Sequence, residues 1–465
     1  MKNLRSTLIS RTWKIINLTG ILCILLCAPI LFPEVGFGRI FIDIDEPGIQ
    51  KINIAIPDFK NFSGRKEHQE LETGFPEIIY NDLDLSGYFI PMEKEAFLDE
   101  DGPFLTADNI RFKNWSIIGT ELLLKGGFTP MGRSVEVEVR LYDAFRARQI
   151  LGKKLLGKMD EYRTLGHRIA NEIVFAITGY KGLFLSKFVF VNKHLTKVNN
   201  KERPIKEIYI CDFDGHNIKQ ITSDNGIALL PEWSPNEQSV VYTSYKDGGP
   251  MLYEKDLRSG RVRRLSGRKG LNAGPCWTAD GKRIALTLTQ DDNQDIFLID
   301  LRGRILERYT NNEAIDVAPT FSPDGTKMAF VSDRSGTPQI WVKDLQNRQK
   351  GEERLTYPGV GDNAFESKYN SSPDWSSRNQ IVFSGDSDTG RDIFTINPDG
   401  SHLRRLTANN GFNEDPSWSP DGRYIVFCSN RDGGYHLYIM NSNGFNQRRI
   451  NFYKGEQTAP SWSPH

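Results

Sequence analysis

From residue 187 to the C-terminus, short apolar or period-two segments alternate with clusters of Asp, Asn, Gly, Ser and Pro. This is the pattern of many short β-strands joined by tight turns. The segments repeat in order. A Pro-x-aromatic motif occurs six times: Pro231-Glu-Trp233-Ser-Pro, Pro275-Cys-Trp277-Thr-Ala-Asp-Gly, Pro319-Thr-Phe321-Ser-Pro-Asp-Gly, Pro373-Asp-Trp375-Ser-Ser, Pro416-Ser-Trp418-Ser-Pro-Asp-Gly and Pro460-Ser-Trp462-Ser-Pro. Successive prolines stand 44, 44, 54, 43 and 44 residues apart, and five of the eight tryptophans occupy this one position. Each complete copy continues with an apolar second strand (239–243, 283–288, 327–331, 380–383, 424–428). A third strand carries an aromatic and ends on Asp or Asn (251–256, 295–300, 339–344, 392–397, 436–441), and a short basic fourth follows (261–265, 304–309, 353–355, 403–406, 447–450). Four strands at this period make a β-propeller blade. In Ser-Pro-Asp-Gly, proline fixes φ at one turn position, Asp tolerates the next and Gly closes it. The aromatic ahead of the turn is expected to pack between neighbouring blades.

The ends of the repeat region complement each other. Before Pro231 lie a second-type strand (187–191), a third-type strand (207–213) and a fourth-type strand (218–222) without a first strand; residues 460–465 form a first strand with nothing after it. Together they complete six blades. The C-terminal strand should therefore close the ring by completing the first blade, which removes exposed sheet edges. The fourth copy is ten residues longer than its neighbours, and the extra length falls in the Gly- and Asn-rich stretch 357–372.

Residues 39–182 lack the repeat. An alternating run at 51–56 predicts a strand, and Phe75, Ile78, Ile79 and Leu83 give 74–85 helical spacing. Residues 115–125 and 134–142 read as long strands, the second with Val135, Val137, Val139 and Leu141 on one face. Residues 161–178 read as an amphipathic helix lined by Leu165, Ile169, Ile173 and Phe175 or Ile177, and Gly179 stops it. The expected fold class is α+β in two domains. A small N-terminal α/β domain over 39–182 precedes a six-bladed β-propeller over 183–465, closed by the C-terminal strand.

Composition narrows the function. The 465 residues include 59 Lys+Arg against 59 Asp+Glu, so no basic excess favours nucleic acid. A hydrophobic share of 38% with 41 Gly and 23 Pro excludes a multi-span membrane protein and a disordered chain. At the N-terminus, Lys2, Arg5, Arg11 and Lys14 precede an apolar run over 15–32 and the small-x-small site Gly36-Phe37-Gly38, the order of a cleaved secretory signal. An uncleaved anchor is the alternative, and the bulky Leu26 before Cys27 speaks against a lipoprotein site. Residues 1–38 hold four basic residues and Glu34, so cleavage leaves 55 basic and 58 acidic residues, a slightly acidic mature chain. It would retain Cys211, Cys276 and Cys428, a widely spaced trio that reads as small apolar filler rather than a disulfide framework.

Little points to catalysis. No G-x-S-x-G, Walker loop or G-x-G-x-x-G occurs, and the seven histidines are scattered without HExxH. Gly385-Asp-Ser387 falls in a loop between second and third strands and reads as a turn. Asp212-Phe-Asp214-Gly215 and Asp386-Ser-Asp388 resemble pieces of calcium loops but lack the remaining ligands. Hairpin turns account for them, and no cofactor is expected; a structural Ca²⁺ on propeller oxygens is the alternative. Asp224, Asp316, Asp362, Glu366, Glu414, Asp415 and Glu456 gather in the loops entering the first strands. They form either solvated loop charge or an acidic ring around a channel mouth.

These residues resemble the TolB family of Tol–Pal systems. The resemblance rests on an export signal, a small α/β domain, six Pro-x-Trp-Ser-Pro-Asp-Gly-type copies ending in a bare Trp-Ser-Pro strand, and Arg39-Ile-Phe-Ile-Asp-Ile44 followed by Ile54-Ala-Ile-Pro-Asp-Phe59. It covers essentially the whole mature chain. The first, second and fourth copies depart from the motif only in their turns, at Pro235-Asn236-Glu237, Thr278-Ala279 and Ser376-Ser377-Arg378-Asn379. The resemblance implies a non-enzymatic periplasmic adaptor, monomeric and held at the membrane only through partners. A Pal-type lipoprotein would bind the propeller and a TolA-type inner-membrane protein the mature N-terminal segment, supporting outer-membrane integrity and constriction at division. The Pal-type face corresponds to the loops entering the first strands, including Leu271-Asn272 and Asp316-Val317, although the family's side chains there are not reproduced. The longest of these loops adds Phe365 and Tyr369, aromatic anchors among Gly and Asn. The TolA-type segment is Arg39, Ile40, Phe41, Ile42, Asp43 and Ile44, a free β-prone end suited to adding a strand to a partner sheet. The competing class is a propeller hydrolase or lyase, for which 39–182 supplies no nucleophile motif.

Overall fold

The computed structural model describes residues 51–464 apart from 99–104, 199–200, 348, 358–368, 388, 409–410 and 451–452. The expected signal segment, the expected TolA-type segment 39–44 and Phe365 lie outside the described residues. Among those described, no helix is long and apolar enough to cross a membrane.

The N-terminal domain is a mixed sheet with its main helices on one face. Its elements run β1 (Ile52–Ala55), β2 (Lys60–Asn61), α1 (Glu70–Ser86), β3 (Phe89–Pro91), α2 (Phe112–Ile117), β4 (Leu122–Met131), β5 (Ser134–Asp143), β6 (Arg148–Lys158) and α3 (Tyr162–Thr178). The order is β3-β1-β4-β5-β6, with β2 also on β4; β1 is parallel to β3 and β4, and β4 to β6 form an antiparallel meander. Period-two burial on β5 turns Val135, Val137, Val139 and Leu141 toward Phe75, Ile79 and Leu83 of α1 and Leu165, Ile169 and Ile173 of α3. On α3, Ile177 joins this core and Phe175 faces out. Gly179 ends the helix in the left-handed region (φ 78°), its N–H reaching the Phe175 carbonyl.

The strand expected over 115–125 is corrected. Trp115 belongs to α2, and the strand begins at Leu122. The apolar residues of that run serve the other face of the sheet, where Trp115 packs edge-on against Phe97 beside Ala55, Leu123 and Tyr142. A short apolar run does not by itself separate a strand from a buried helical turn. The edge strand β6 escaped the sequence pattern because it is mostly exposed.

Six four-stranded antiparallel sheets follow. Blade 1 joins Glu456–Trp462 to Lys187–Val198, Lys201–Asp212 and Lys219–Gln220, so the last strand of the chain is the innermost strand of the first blade. The inner strands of blades 2 to 6 are Ala228–Trp233, Asn272–Trp277, Asp316–Phe321, Asn370–Trp375 and Asn413–Trp418. Each motif aromatic packs on the preceding blade: Trp277 lies with Val241 and Leu252 of blade 2, and Trp418 with Val382 and Ile393 of blade 5. Blade 1 differs in its long central hairpin, paired from Lys187↔Asp212 out to Val198↔Lys201.

Strand alternation gives the ring two faces. The motif turns and the third-to-fourth turns share one face, and the N-terminal domain occupies it at blades 6 and 1. There Arg423, directly after Pro-Asp-Gly, donates to Tyr88 Oη at 2.6 Å and the Lys181 carbonyl at 2.7 Å, and Tyr424 Oη donates to the Ser86 carbonyl at 2.8 Å. One apolar core runs through the contact, from Leu83 and Phe184 to Phe213, Tyr424 and Trp462. The loops that enter the inner strands emerge on the opposite face.

Candidate functional site: the channel and its open mouth

Proline inside a strand needs an account, because it cannot donate to the ladder. In all six blades the pairing register slips at the motif proline, a β-bulge. The residue before each proline has a left-handed φ: Leu230 (51°), Gly274 (60°), Ala318 (53°), Ser372 (51°), Asp415 (50°) and Ala459 (47°). Five of these six are not glycine, so the ring holds an unfavourable conformation five times over. The bulge aims the residue after the proline into the central channel. The six x-Pro-x tripeptides line a cavity of about 160 Å³.

The residues after the prolines are Glu232, Cys276, Thr320, Asp374, Ser417 and Ser461. They also staple one blade to the next. The Trp375 N–H donates to Thr320 Oγ1 at 3.2 Å, that of Trp418 to Asp374 Oδ2 at 2.7 Å, and that of Trp462 to Ser417 Oγ at 3.3 Å. Burial, reinforced by the Asp374 charge, pushes the Glu232 carboxyl up to about 8. Burial also raises Asp374, outweighing the Trp418 hydrogen bond, and raises the Cys276 thiol. The channel therefore holds an un-ionised thiol and a carboxyl that is largely protonated at neutral pH, and no histidine lines it.

Three residues before each proline sits a buried anchor: Asn272, Asp316, Asn370, Asn413 and Gln457, with Ala228 in blade 2. Asn272 and Asp316 are 0% exposed, which corrects their expected place on a contact surface. Asn272 donates through Nδ2 to the carbonyls of Arg268 at 2.8 Å and Gly270 at 3.1 Å and accepts from Ser266 Oγ at 2.7 Å. Asp316 is clasped by Arg334 at 2.7 Å and Asn312 at 2.6 Å. Both shape the mouth from beneath. Val317 is half-buried, packed on the core between blades 4 and 5. Tyr369 is exposed, with the Arg391 guanidinium 5.0 Å from its ring centre.

The acidic ring is also corrected for its described members. Asp224 accepts from Ser244 Oγ at 2.6 Å, Glu414 pairs with Arg391 at 3.0 Å and Glu456 with Lys193 at 2.6 Å, while Asp415 accepts from Ser372 and the Ala459 N–H. Asp362 and Glu366 lie outside the described residues. The calcium-loop fragments are likewise engaged by protein groups, Asp212 by Lys187 and Asn217, Asp214 by Arg163 and His216. Six apolar residues stand exposed at the mouth, Ile227, Leu230, Ile315, Tyr357, Phe412 and Tyr453 at 38% to 50%, among exposed polar neighbours such as Asn225, Lys269, Asn311, Glu313 and Lys454. Arg354 stands 4.0 Å from the Tyr357 ring centre and steadies one of these aromatics. The sequence reading missed this rim, since its members fall singly in loops of unequal length.

Comparison with known proteins decides the family. The family described as "TolB beta propeller domain" matches residues 175–378 and 363–465, and the "TolB amino-terminal domain" family matches residues 40–150. The chain belongs to the TolB family. The Tol-Pal system protein TolB of Desulfosudis oleivorans is 37% identical over 243 residues, 52% of this chain and 53% of that protein. The protein of the same name in Syntrophus aciditrophicus is 33% identical over 230 residues, 49% and 50% of the two chains. The matched stretch spans about half the length of these curated relatives. The crystal structure of TolB from Acinetobacter baumannii superposes with a TM-score of 0.76 at 25% identity, covering 90% of this chain and 97% of that one. The six-bladed ring, its C-terminal closure and the small preceding domain are therefore the TolB-family fold.

Proposed function

We propose that this TolB-family chain is an exported, non-enzymatic adaptor of a Tol–Pal system in the periplasm, where it supports outer-membrane integrity and constriction at division. A Pal-type lipoprotein docks over the open channel mouth, and segment 39–44 binds a TolA-type inner-membrane protein. The observation that carries the reading is the apolar rim on the face that the N-terminal domain leaves free. Isolated exposed apolar residues are ordinary, but a ring of them around one concave mouth is the composition of an interface core. Asn272, Asp316 and Val317 act here by holding the loops, and Tyr369 extends the rim; Phe365 is assigned to the same partner from the sequence of its loop alone. The reading requires no cofactor. A channel hydrolase or lyase is the competing reading, and its residues would be the carboxyls and hydroxyls of the cavity, Glu232, Asp374, Asp415 and Ser417 among them.

Calorimetric titration tests the division of labour. The mature chain should bind both a purified Pal-type periplasmic domain and a TolA-type C-terminal domain. Deleting residues 39–44 should abolish TolA-type binding while leaving Pal-type affinity and thermal stability within error. Loss of both activities, or unfolding of the N-terminal domain, would make the segment structural and sink this assignment.

A further inference from the structure

The contact between the domains contains one buried ionisable cluster that no binding role uses. Asp82 comes from α1, Arg163 and His167 lie one turn apart on α3, and Asp214 comes from the outer turn of blade 1. Asp82, His167 and Asp214 are 0%, 3% and 7% exposed. His167 Nδ1 lies 2.7 Å from Asp82 Oδ2, and its Nε2 faces Asp214 Oδ2 at 3.8 Å. Arg163 bonds the same Asp214 oxygen, and His216 Nδ1 stands 3.3 Å from it. Asp82 Oδ1, His167 Nε2 and Arg163 Nε have no hydrogen-bond partner. With both carboxylates ionised, two carboxylates and one guanidinium leave a net negative charge, and one proton held by the hydrogen-bonded Asp82–His167 pair cancels it. An uncompensated buried charge is costly, so the cluster has a reason to bind that proton.

We propose that His167 is a proton-operated latch between the domains: protonated, it bridges Asp82 of α1 to Asp214 of blade 1 and holds the N-terminal domain tightly on the ring; neutral, it releases the bridge and the contact loosens. The remaining charges facing the cluster are Arg163 from α3 and His216 from the blade turn; Asp212 is taken up by Lys187 and Asn217, and Asp84 on α1 by Arg448. Burial pushes the Asp82 carboxyl up to about 7 against the pull of His167. For His167 burial acts downward, and the Asp82 hydrogen bond and nearby carboxylates outweigh it, leaving it raised. Asp214 stays ionised: burial would raise it, but His216, His167 and Arg163 hold it at about 2. The signs agree. Asp82 and His167 both bind protons more tightly folded than unfolded: the Asp82 contribution is complete below the ordinary carboxyl range and is lost as pH rises to about 7, and the His167 contribution is complete below its ordinary value and is lost as pH rises through its raised one. Arg423 and Arg448 do not titrate in this range and keep the domains attached when the latch opens.

Distance measurement on the full mature chain tests the latch. Spin labels on Glu77→Cys in α1 and Lys219→Cys in blade 1 report the separation by pulsed electron resonance; Cys211 and Cys428 are buried and Cys276 is turned into the channel, all with raised thiols. The population of the closed distance should fall as pH is raised from 6 to 8.5. His167→Gln, a neutral donor to Asp82, should give one distribution at every pH, and Asp82→Asn should shrink the response. His216→Gln should preserve it. A wild-type distance indifferent to pH, a His167→Gln variant that still responds, or a response that follows added Zn²⁺ and chelator at fixed pH would overturn the proposal. Histidine ¹⁵N resonances of the unlabelled chain give a check free of variants: a His167 ring that stays neutral down to pH 5.5 would also overturn it.

Discussion

Removing residues 458–465 is expected to leave a propeller that aggregates or unfolds at ordinary temperature. The strand Glu456–Trp462 is the inner strand of blade 1; without it that blade presents an unpaired edge, and blade 6 loses the neighbour its inner strand packs against. Trp462 carries much of the effect. Its ring lies edge-on to Phe188 at 4.8 Å between centres and 5.9 Å from Phe213, its Nε1 donates to Ser186 Oγ at 2.9 Å, and it is 5% exposed. Truncating such a side chain leaves a cavity, and Trp462→Ala alone should cost about 3–5 kcal/mol, a large part of a typical domain stability. Ser463 adds a clasp, exchanging hydrogen bonds with the Lys187 backbone at 2.9 and 3.0 Å. Urea unfolding followed by tryptophan fluorescence checks this. A truncated chain with the midpoint of the full one would mean that the ring does not depend on its closure.

Arg423→Ala should be the most damaging single change at the domain contact, at roughly 2–4 kcal/mol. The guanidinium is 2% exposed, pairs with Asp421, and stands 4.8 Å from the Tyr180 ring centre and 5.7 Å from that of Tyr424 while it bonds Tyr88 and Lys181. Truncation strands the buried Tyr88 hydroxyl and the Lys181 carbonyl together. Arg423→Lys should rescue less than half, because an ammonium cannot reach both acceptors and stack between the rings. Differential scanning calorimetry of the two variants decides it, with an early transition of the N-terminal domain expected in the alanine protein. A loss below about 0.5 kcal/mol, the range of ordinary surface changes, would place the docking energy elsewhere.

The ring was readable in the sequence because each blade is local: its strands are joined by short turns, and the motif repeats the same turn chemistry. Closure could be inferred because the two end fragments were complementary. Three kinds of feature were not readable. The bulge before each proline leaves little composition signal, since Leu230, Ala318, Ser372 and Ala459 are not left-handed formers by type, and the ring imposes the conformation on them. Burial of polar loop residues was invisible for a related reason. Asn272 and Asp316 have the composition of exposed turns, and only the folded loop shows them turned inward as its hydrogen-bonding centre. The domain contact joins residues far apart in the chain, Tyr88 and Arg423 across 335 positions and Asp84 and Arg448 across 364, and no periodicity encodes such pairs. Of the candidate partner face, the sequence located the loops, while the structure identified which side chains stand out from them.

Titrating a Pal-type periplasmic domain into the mature chain and into Tyr357→Ala, Phe412→Ala and Asp324→Asn variants compares the open rim with a motif turn on the opposite side. Each rim variant should lose about tenfold or more in affinity, the 1–2 kcal/mol of a hot-spot aromatic, and Asp324→Asn should bind within twofold of the parent. Unchanged binding by both rim variants, or equal losses on the two faces, would contradict a partner docked over the channel mouth.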